Sequence, residues 1–178
     1  MTNAALVVAL ANAQAEQRPT GARAPIAQDA LADAASASEL LGAFLHRPIN
    51  PQDLAGVRAV QQAVASVVDA LIDGRQPALA ALNALAAQQP AIYALTHGSG
   101  GHLHATPRPK HRSAGGALLL AVMRDLSELN PSRLRRCARS ECRLVFYDTS
   151  RSATQLWHAE RPCGLRARQR RHRANRRA

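Results

Sequence analysis

The chain has 178 residues and a formal net charge of +11, from 23 Lys and Arg against 12 Asp and Glu. That length fits one domain, or one domain with a small appendage. Residues 1–130 carry nine basic and nine acidic side chains, whereas residues 131–178 carry fourteen arginines against only Glu141, Asp148 and Glu160, so the whole excess sits in the last 48 residues. Alanine supplies 38 residues, and the aromatics are Phe44, Tyr93, Phe146, Tyr147 and Trp157. Alanine favours helix and buries little surface. The composition argues against a large all-β fold. It predicts a mainly α protein: a neutral helical body over 1–130, then a small basic module over 131–178. No 18-residue apolar run is present to span a membrane.

In chain order, the run Ala4 to Ala11 has no Lys or Arg before it, so it reads as a first helix of the body rather than a signal peptide. Apolar spacing of three and four predicts a helix from about Asp29 to His46, with Leu31, Leu41, Phe44 and Leu45 largely on one side, stopped by Pro48 and Pro51. A second runs from about Gln52 to Ile72, with Leu54, Val57, Val60, Val64, Val67, Val68 and Leu71 as its stripe and Asp73-Gly74 as its end. Pro77 suits the first turn of a third helix carrying Leu79, Leu82 and Leu85, closed by Pro90. A fourth, from about Ala114 to Leu129, carries Leu118, Leu119, Val122, Met123 and Leu126. Between the third and fourth lies an irregular stretch, His97 to Ser113, with glycines, prolines and four histidines. His102 and His104 would share one face of a strand, which would suit a metal. With no Asp, Glu or Cys nearby to complete a site, a solvated loop or hairpin is the better reading. The body holds no nucleophile motif, phosphate loop or dinucleotide fingerprint. Asp53, Asp69 and Asp73 on one predicted helix read as a solvated face. The chain is therefore expected not to be an enzyme.

The basic module holds all three cysteines, in the pattern Cys137-x4-Cys142, fifteen residues, His158-x4-Cys163. Two close ligand pairs that can converge are what tetrahedral zinc requires, and four protein ligands leave no position for a catalytic water. The spacing predicts a structural Cys3His zinc site. A disulfide framework would leave an odd thiol, and the C-x-x-C of a redox pair is absent. The Cys137–Cys142 half reads as a knuckle turn, returning along a strand over Leu144 to Tyr147. Asp148-Thr149-Ser150 reads as a turn or helix cap, and Gln155 to His158 as helical. A segment this basic buries too little surface to fold alone. Phe146, Tyr147 and Trp157 are expected to form a small core around the metal, which supplies much of the folding free energy.

The tail after Gly164 places Arg166, Arg170, Arg173 and Arg177 on one helical face, widened by Arg168, Arg171 and Arg176. Such a stripe suits a polyanion. Phosphates reward the charge, a helix fits the major groove, and arginine makes bidentate contacts to phosphate or guanine. Duplex DNA is the expected partner, with RNA, an acidic protein surface or a solvated tail as alternatives. Arg166, Arg168, Arg170, Arg171 and Arg173 are the expected contacts, helped by Arg143 and Arg151.

Arg136-Cys137-x4-Cys142-x3-Phe146-x-Asp148-x-Ser150-Arg151, followed by Trp157-His158-x4-Cys163-Gly164-x-Arg166 and a basic tail, resembles the bacterial CGNR zinc-finger family. In that family the finger follows a mostly helical domain called ABATE, and the proteins are provisionally described as stress-induced transcription regulators. The resemblance implies a zinc-dependent, DNA-binding regulator acting in the cytoplasm on the nucleoid. The body would then sense, bind an effector or form a homodimer. Three departures stand out: His158 replaces the family's usual cysteine, Leu165 replaces the asparagine of the name-giving motif, and Gln155-Leu156 replaces an arginine pair.

Overall fold

The computed structural model describes residues 4–13, 29–89, 91–109, 113–139, 142 and 144–176. Among them, five helices form the body: α1 (Ala5–Asn12), α2 (Ala34–Leu45), α3 (Leu54–Ile72), α4 (Ala80–Ala87) and α5 (Ala114–Glu128). An antiparallel hairpin, β1 (Ala91–His97) and β2 (Leu103–Pro109), separates α4 from α5. The C-terminal part holds a second hairpin, β3 (Leu134–Arg136) with β4 (Val145–Tyr147), and a last helix, α6 (Leu165–Asn175).

α3 is the central helix. A 3-10 turn over Pro51–Asp53 leads into it, and Val57, Val60, Val64, Val67 and Val68 are all buried. Their spacing of three and four puts one continuous stripe against α1 and α5. α3 is long and apolar enough to cross a bilayer, but that stripe is consumed by the body's own core. Its one buried polar side chain on this face, Gln61, donates from Nε2 to the Leu10 carbonyl at 3.2 Å. Where α3 meets α5, a Cβ on Gly115 would stand 3.3 Å from the backbone of Gly56. The two backbones approach closely because both residues lack side chains. Ser113 caps α5 by accepting from the Gly116 N–H at 3.0 Å, and Asp33 caps α2 by accepting from the Ser36 N–H at 2.8 Å.

The helix boundaries differ from the sequence reading in instructive ways. α2 starts at its Asp33 cap and ends at His46, which adopts a left-handed conformation (φ 51°) before Pro48 is reached. α4 begins at Ala80, three residues beyond Pro77. The strand from Ala91 is one that helical periodicity passed over. Residues Gln155 to His158, expected to be helical, form an extended bend. Their backbone is committed elsewhere: the Gln155 N–H donates to Asp148 Oδ2 at 2.9 Å and the Leu156 carbonyl accepts from the Ala138 N–H at 2.8 Å.

The body's core does not stop at residue 130. Leu134 of β3 and Val145 of β4 belong to the same buried cluster as Val7, Leu10 and Val68. The Asn12 side chain acts as a strand edge for β4. Its Nδ2 donates to the Val145 carbonyl and its Oδ1 accepts from the Val145 N–H, both at 2.9 Å. Arg136 reaches Asp69 of α3 at 2.6 Å, and the Tyr147 hydroxyl accepts from the Asn130 N–H at 3.3 Å. The expected aromatic core around the metal is thus corrected. Tyr147 packs against the body, and of the three aromatics it is Trp157 that packs against the cysteines, together with Leu144.

Replacing Asn12 leaves both backbone groups of Val145 without these partners, and a buried amide stripped of its partner costs about 1–3 kcal/mol. Asn12→Ala should therefore lower stability by about 2 kcal/mol in denaturant melts. Equal stability of variant and parent would show that the β3–β4 hairpin is not held through α1.

Candidate functional site

The β3–β4 hairpin presents the first two cysteines. Cys137 follows β3 directly, and its N–H donates to the Leu144 carbonyl at 2.9 Å, while the Cys142 N–H donates to the Arg139 carbonyl at 2.9 Å. These bonds close the knuckle turn. The Leu144 N–H faces the Cys142 sulfur.

The second pair is delivered by a loop organised around Asp148, whose side chain is fully buried. Asp148 Oδ1 accepts from the Ser150 hydroxyl at 2.6 Å and the Ser150 N–H at 2.9 Å, and Oδ2 accepts from the Gln155 N–H. Arg135 Nε stands 3.4 Å from Oδ2. The Ser150 hydroxyl leads in holding this carboxyl below its ordinary pKa, with backbone donors and Arg135 adding to it. So pinned, the loop brings Trp157 and His158 over the knuckle. Cys163 comes from a wide turn over Glu160–Gly164, in which Arg161 is extended (φ −105°, ψ 126°), and α6 begins at once after it.

The ligating atoms of Cys137, Cys142, His158 and Cys163 all lie within 4.8 Å of one another. His158 Nδ1 stands 3.4 Å from Cys142 Sγ and 3.7 Å from Cys163 Sγ. Sulfur and nitrogen ligands of a tetrahedral zinc, at about 2.3 and 2.1 Å from the ion, stand roughly 3.5–3.8 Å apart. The two His158 spacings lie close to that demand, and the four ligand atoms are near enough together to close on one ion. The three cysteines are unbridged and buried.

The chemistry of the donors fits as well. Desolvation, followed by the neighbouring thiols, pushes Cys142 up to about 12. Cys163 is raised for the same first reason. Packed together without a cation, these thiols hold their protons; a divalent ion reverses that balance. His158 is lowered, first by burial and then by the charge of Arg139, which keeps its ring neutral and its Nδ1 available as a ligand. These four residues form a structural zinc site of Cys3His type.

Arg139 is the residue that spacing alone did not single out beyond its place in the turn. It is nearly buried and its guanidinium bonds to the Cys163 sulfur, which draws that thiol down against the larger effect of burial. Zn²⁺ with three thiolates and a neutral imidazole sums to one negative charge, and Arg139 supplies the matching positive one. A buried arginine with no motif around it can be recognised as functional only once the fold shows what lies beside it.

Arg151 is exposed in the turn after Ser150, and Arg143 lies outside the described residues. Arg166, Arg168, Arg170, Arg171 and Arg173 all fall on α6, which has no buried residue. Arg168 is engaged within the finger: it ion-pairs with Glu160 and stacks 5.9 Å from the Trp157 ring centroid. Among the described residues, no second group of three or more metal-ligating side chains forms, so His97, His102 and His104 on the hairpin build no site of that kind.

Compared with known families, residues 4–130 match the ABATE domain, provisionally described as a stress-induced transcription regulator. Residues 133–176 match the CGNR zinc finger. No curated protein matches the chain.

Three outcomes follow for the metal. Zinc binding must displace the protons of Cys142 and Cys163, so it should release at least two protons per ion near neutral pH, and apparent affinity should fall as the pH is lowered. Titrations in buffers of different ionisation enthalpy measure this, and proton-neutral binding would refute it. Arg139→Gln should weaken zinc roughly 10- to 100-fold, as loss of an outer partner of a metal ligand does, in competition against a chelator. Cys142→Ser should lose the ion.

Proposed function

The chain belongs to the ABATE family and carries a CGNR zinc finger, and from that premise we propose that it is a zinc-dependent transcription regulator that grips duplex DNA through α6. The observation that carries the reading is the placement of α6. It follows the last zinc ligand by two residues and lies on the surface with Arg166, Arg170, Arg171 and Arg173 along it. A helix so charged, fixed at its first turn by a metal centre, is presented as a unit rather than trailing as loose chain. Phosphate contacts would position it, and guanidinium groups at base edges would give whatever sequence preference it has. Arg151, exposed on the neighbouring turn, is within the same basic module and would add to the phosphate contacts. Such a protein works on the nucleoid, in the cytoplasm.

The zinc centre has a structural part in this reading: with four protein ligands it holds the knuckle, the Trp157 bend and the start of α6 together. No catalytic step is assigned to the chain. RNA is a weaker candidate, because base stacking needs an open aromatic face, and Trp157 is half-buried with Arg168 over its ring. An acidic protein surface would meet the same charge and is separated by partner preference.

Affinity for duplex DNA should fall steeply with salt, in proportion to the number of phosphates neutralised. Truncation after Gly164 should abolish most of it while leaving zinc in place. Salt-independent binding, or full binding by the truncated chain, would falsify the assignment. Removing zinc should also abolish binding, since α6 then loses its anchor.

A further inference from the structure

The arginines of α6 divide among three sides of the helix. Arg168 turns in toward the finger, where it pairs with Glu160 over the Trp157 ring. Ala167, Arg170, Arg171 and Ala174 recur at spacings of three and four, so they share a second side. Arg166 and Arg173, seven apart, share a third, roughly a quarter turn further from Arg168. The second side faces the knuckle turn. Between the two runs a groove of about 360 Å³, lined by Ala138 and Arg139 of the knuckle and by Ala167, Arg170, Arg171 and Ala174 of α6.

The groove has a particular chemistry. Its described lining holds two kinds of side chain, alanine and arginine, and no acid. Alanine methyls make its floor apolar and keep it hollow. Arg139 forms the inner wall, nearly buried with its guanidinium against the Cys163 sulfur. Arg170 and Arg171 are exposed on the rim. The groove is a trough open to solvent along one side, not a closed chamber. A free small molecule is held by a site that wraps most of its surface. A trough with an apolar floor and a cationic rim suits instead one unit of a polymer whose backbone alternates an uncharged ring with an anion.

We propose that this groove seats one sugar–phosphate unit of a DNA strand, with the phosphate between Arg170 and Arg171 and the deoxyribose over the alanine floor. The proposal rests on the reading of the chain as a DNA-binding protein and says how α6 lies on the duplex. At roughly 30 Å³ per water the groove has space for about a dozen waters, which is room for a sugar and its phosphate. Neighbouring guanidinium forks grip phosphate oxygens in pairs. Arg139 ties the seat to the metal centre. The turn that carries it also carries Cys137 and Cys142, so the groove exists only while the finger holds that turn against α6. With the groove on the backbone, the side bearing Arg166 and Arg173 is the one left for base edges, and Arg170 borders both. Phosphate contacts position a protein on the duplex and base contacts specify the sequence; two sides of one helix divide those tasks.

The test is binding of the full-length, zinc-loaded protein to two duplexes of different sequence across a salt series. Ala167→Leu together with Ala174→Leu fills the groove without changing any charge, and leucine is nearly as good a helix former as alanine. The double variant should bind both duplexes about tenfold more weakly, with the ratio between them unchanged and a salt slope smaller by about one for the phosphate lost. Arg171→Ala should do the same. Asn175→Leu adds the same bulk on the Arg168 side of α6 and should bind as the parent does. Zinc content and helical content should match the parent throughout; where the double variant loses zinc, Ala174→Leu alone, at the end of the groove remote from Cys163, carries the comparison. Filled-groove variants that bind as the parent does would overturn the seat and leave the DNA reading standing. A loss that differs between the two duplexes would put base edges in the groove and overturn it as well. A parent that binds neither duplex would overturn both readings.

Discussion

Fourteen arginines within 48 residues, with three acids among them, repel one another, and a segment of that size has little apolar surface to oppose the repulsion. Everything in the C-terminal third is arranged around this. Two anchors hold it. One is the zinc centre, where binding of the ion is folding free energy for the residues that ligate it. The other is the body's core, which takes in Leu134 and Val145 and pins β4 through Asn12. The finger is thus less independent than its composition suggests. The hairpin that carries two of its four ligands is also a wall of the body.

The zinc anchor also settles a buried charge. Buried thiols are driven toward their protonated forms, and a buried guanidinium beside them would then face a neutral cluster. With the ion bound, the cluster becomes an anion and Arg139 its counter-charge. The same event that folds the finger therefore also resolves the desolvation of Arg139, which is why burying an arginine here is tolerable at all.

Much of this was legible in the sequence, and the exceptions have physical causes. The valine stripe of α3 and the Cys-x4-Cys, His-x4-Cys spacing are periodic or metric signals, and both survive into the structure. Helical periodicity passes over the strand from Ala91 because its spacings of three and four do not describe a run in which Ile92, Tyr93 and Thr96 favour extended backbone. At Gln155 helical composition yields to a bond made elsewhere: Asp148, earlier in the chain, captures the Gln155 N–H, and nothing within the bend itself forbids a turn of helix. The placement of the aromatics is hidden for a similar reason. Composition shows that Tyr147 belongs to the basic segment, but only the hairpin's contact with α1 shows that it faces the body.

The charge excess itself divides once the contacts are known. Arg133 donates to the carbonyls of Asp148 and Ser150, and Arg135 to that of Ala153. Arg136 binds Asp69, Arg139 sits against Cys163, and Arg168 spans Glu160 and Trp157. These five build the finger. Their forked, always-charged head groups tie loop carbonyls and the metal centre together where lysine could not make the same paired bonds. A net charge of +11 therefore overstates what the surface offers to a polyanion. The share that can act outward is concentrated on α6, whose position depends on the zinc ligand two residues before it, so a partner that reads this charge also reads whether the metal is in place.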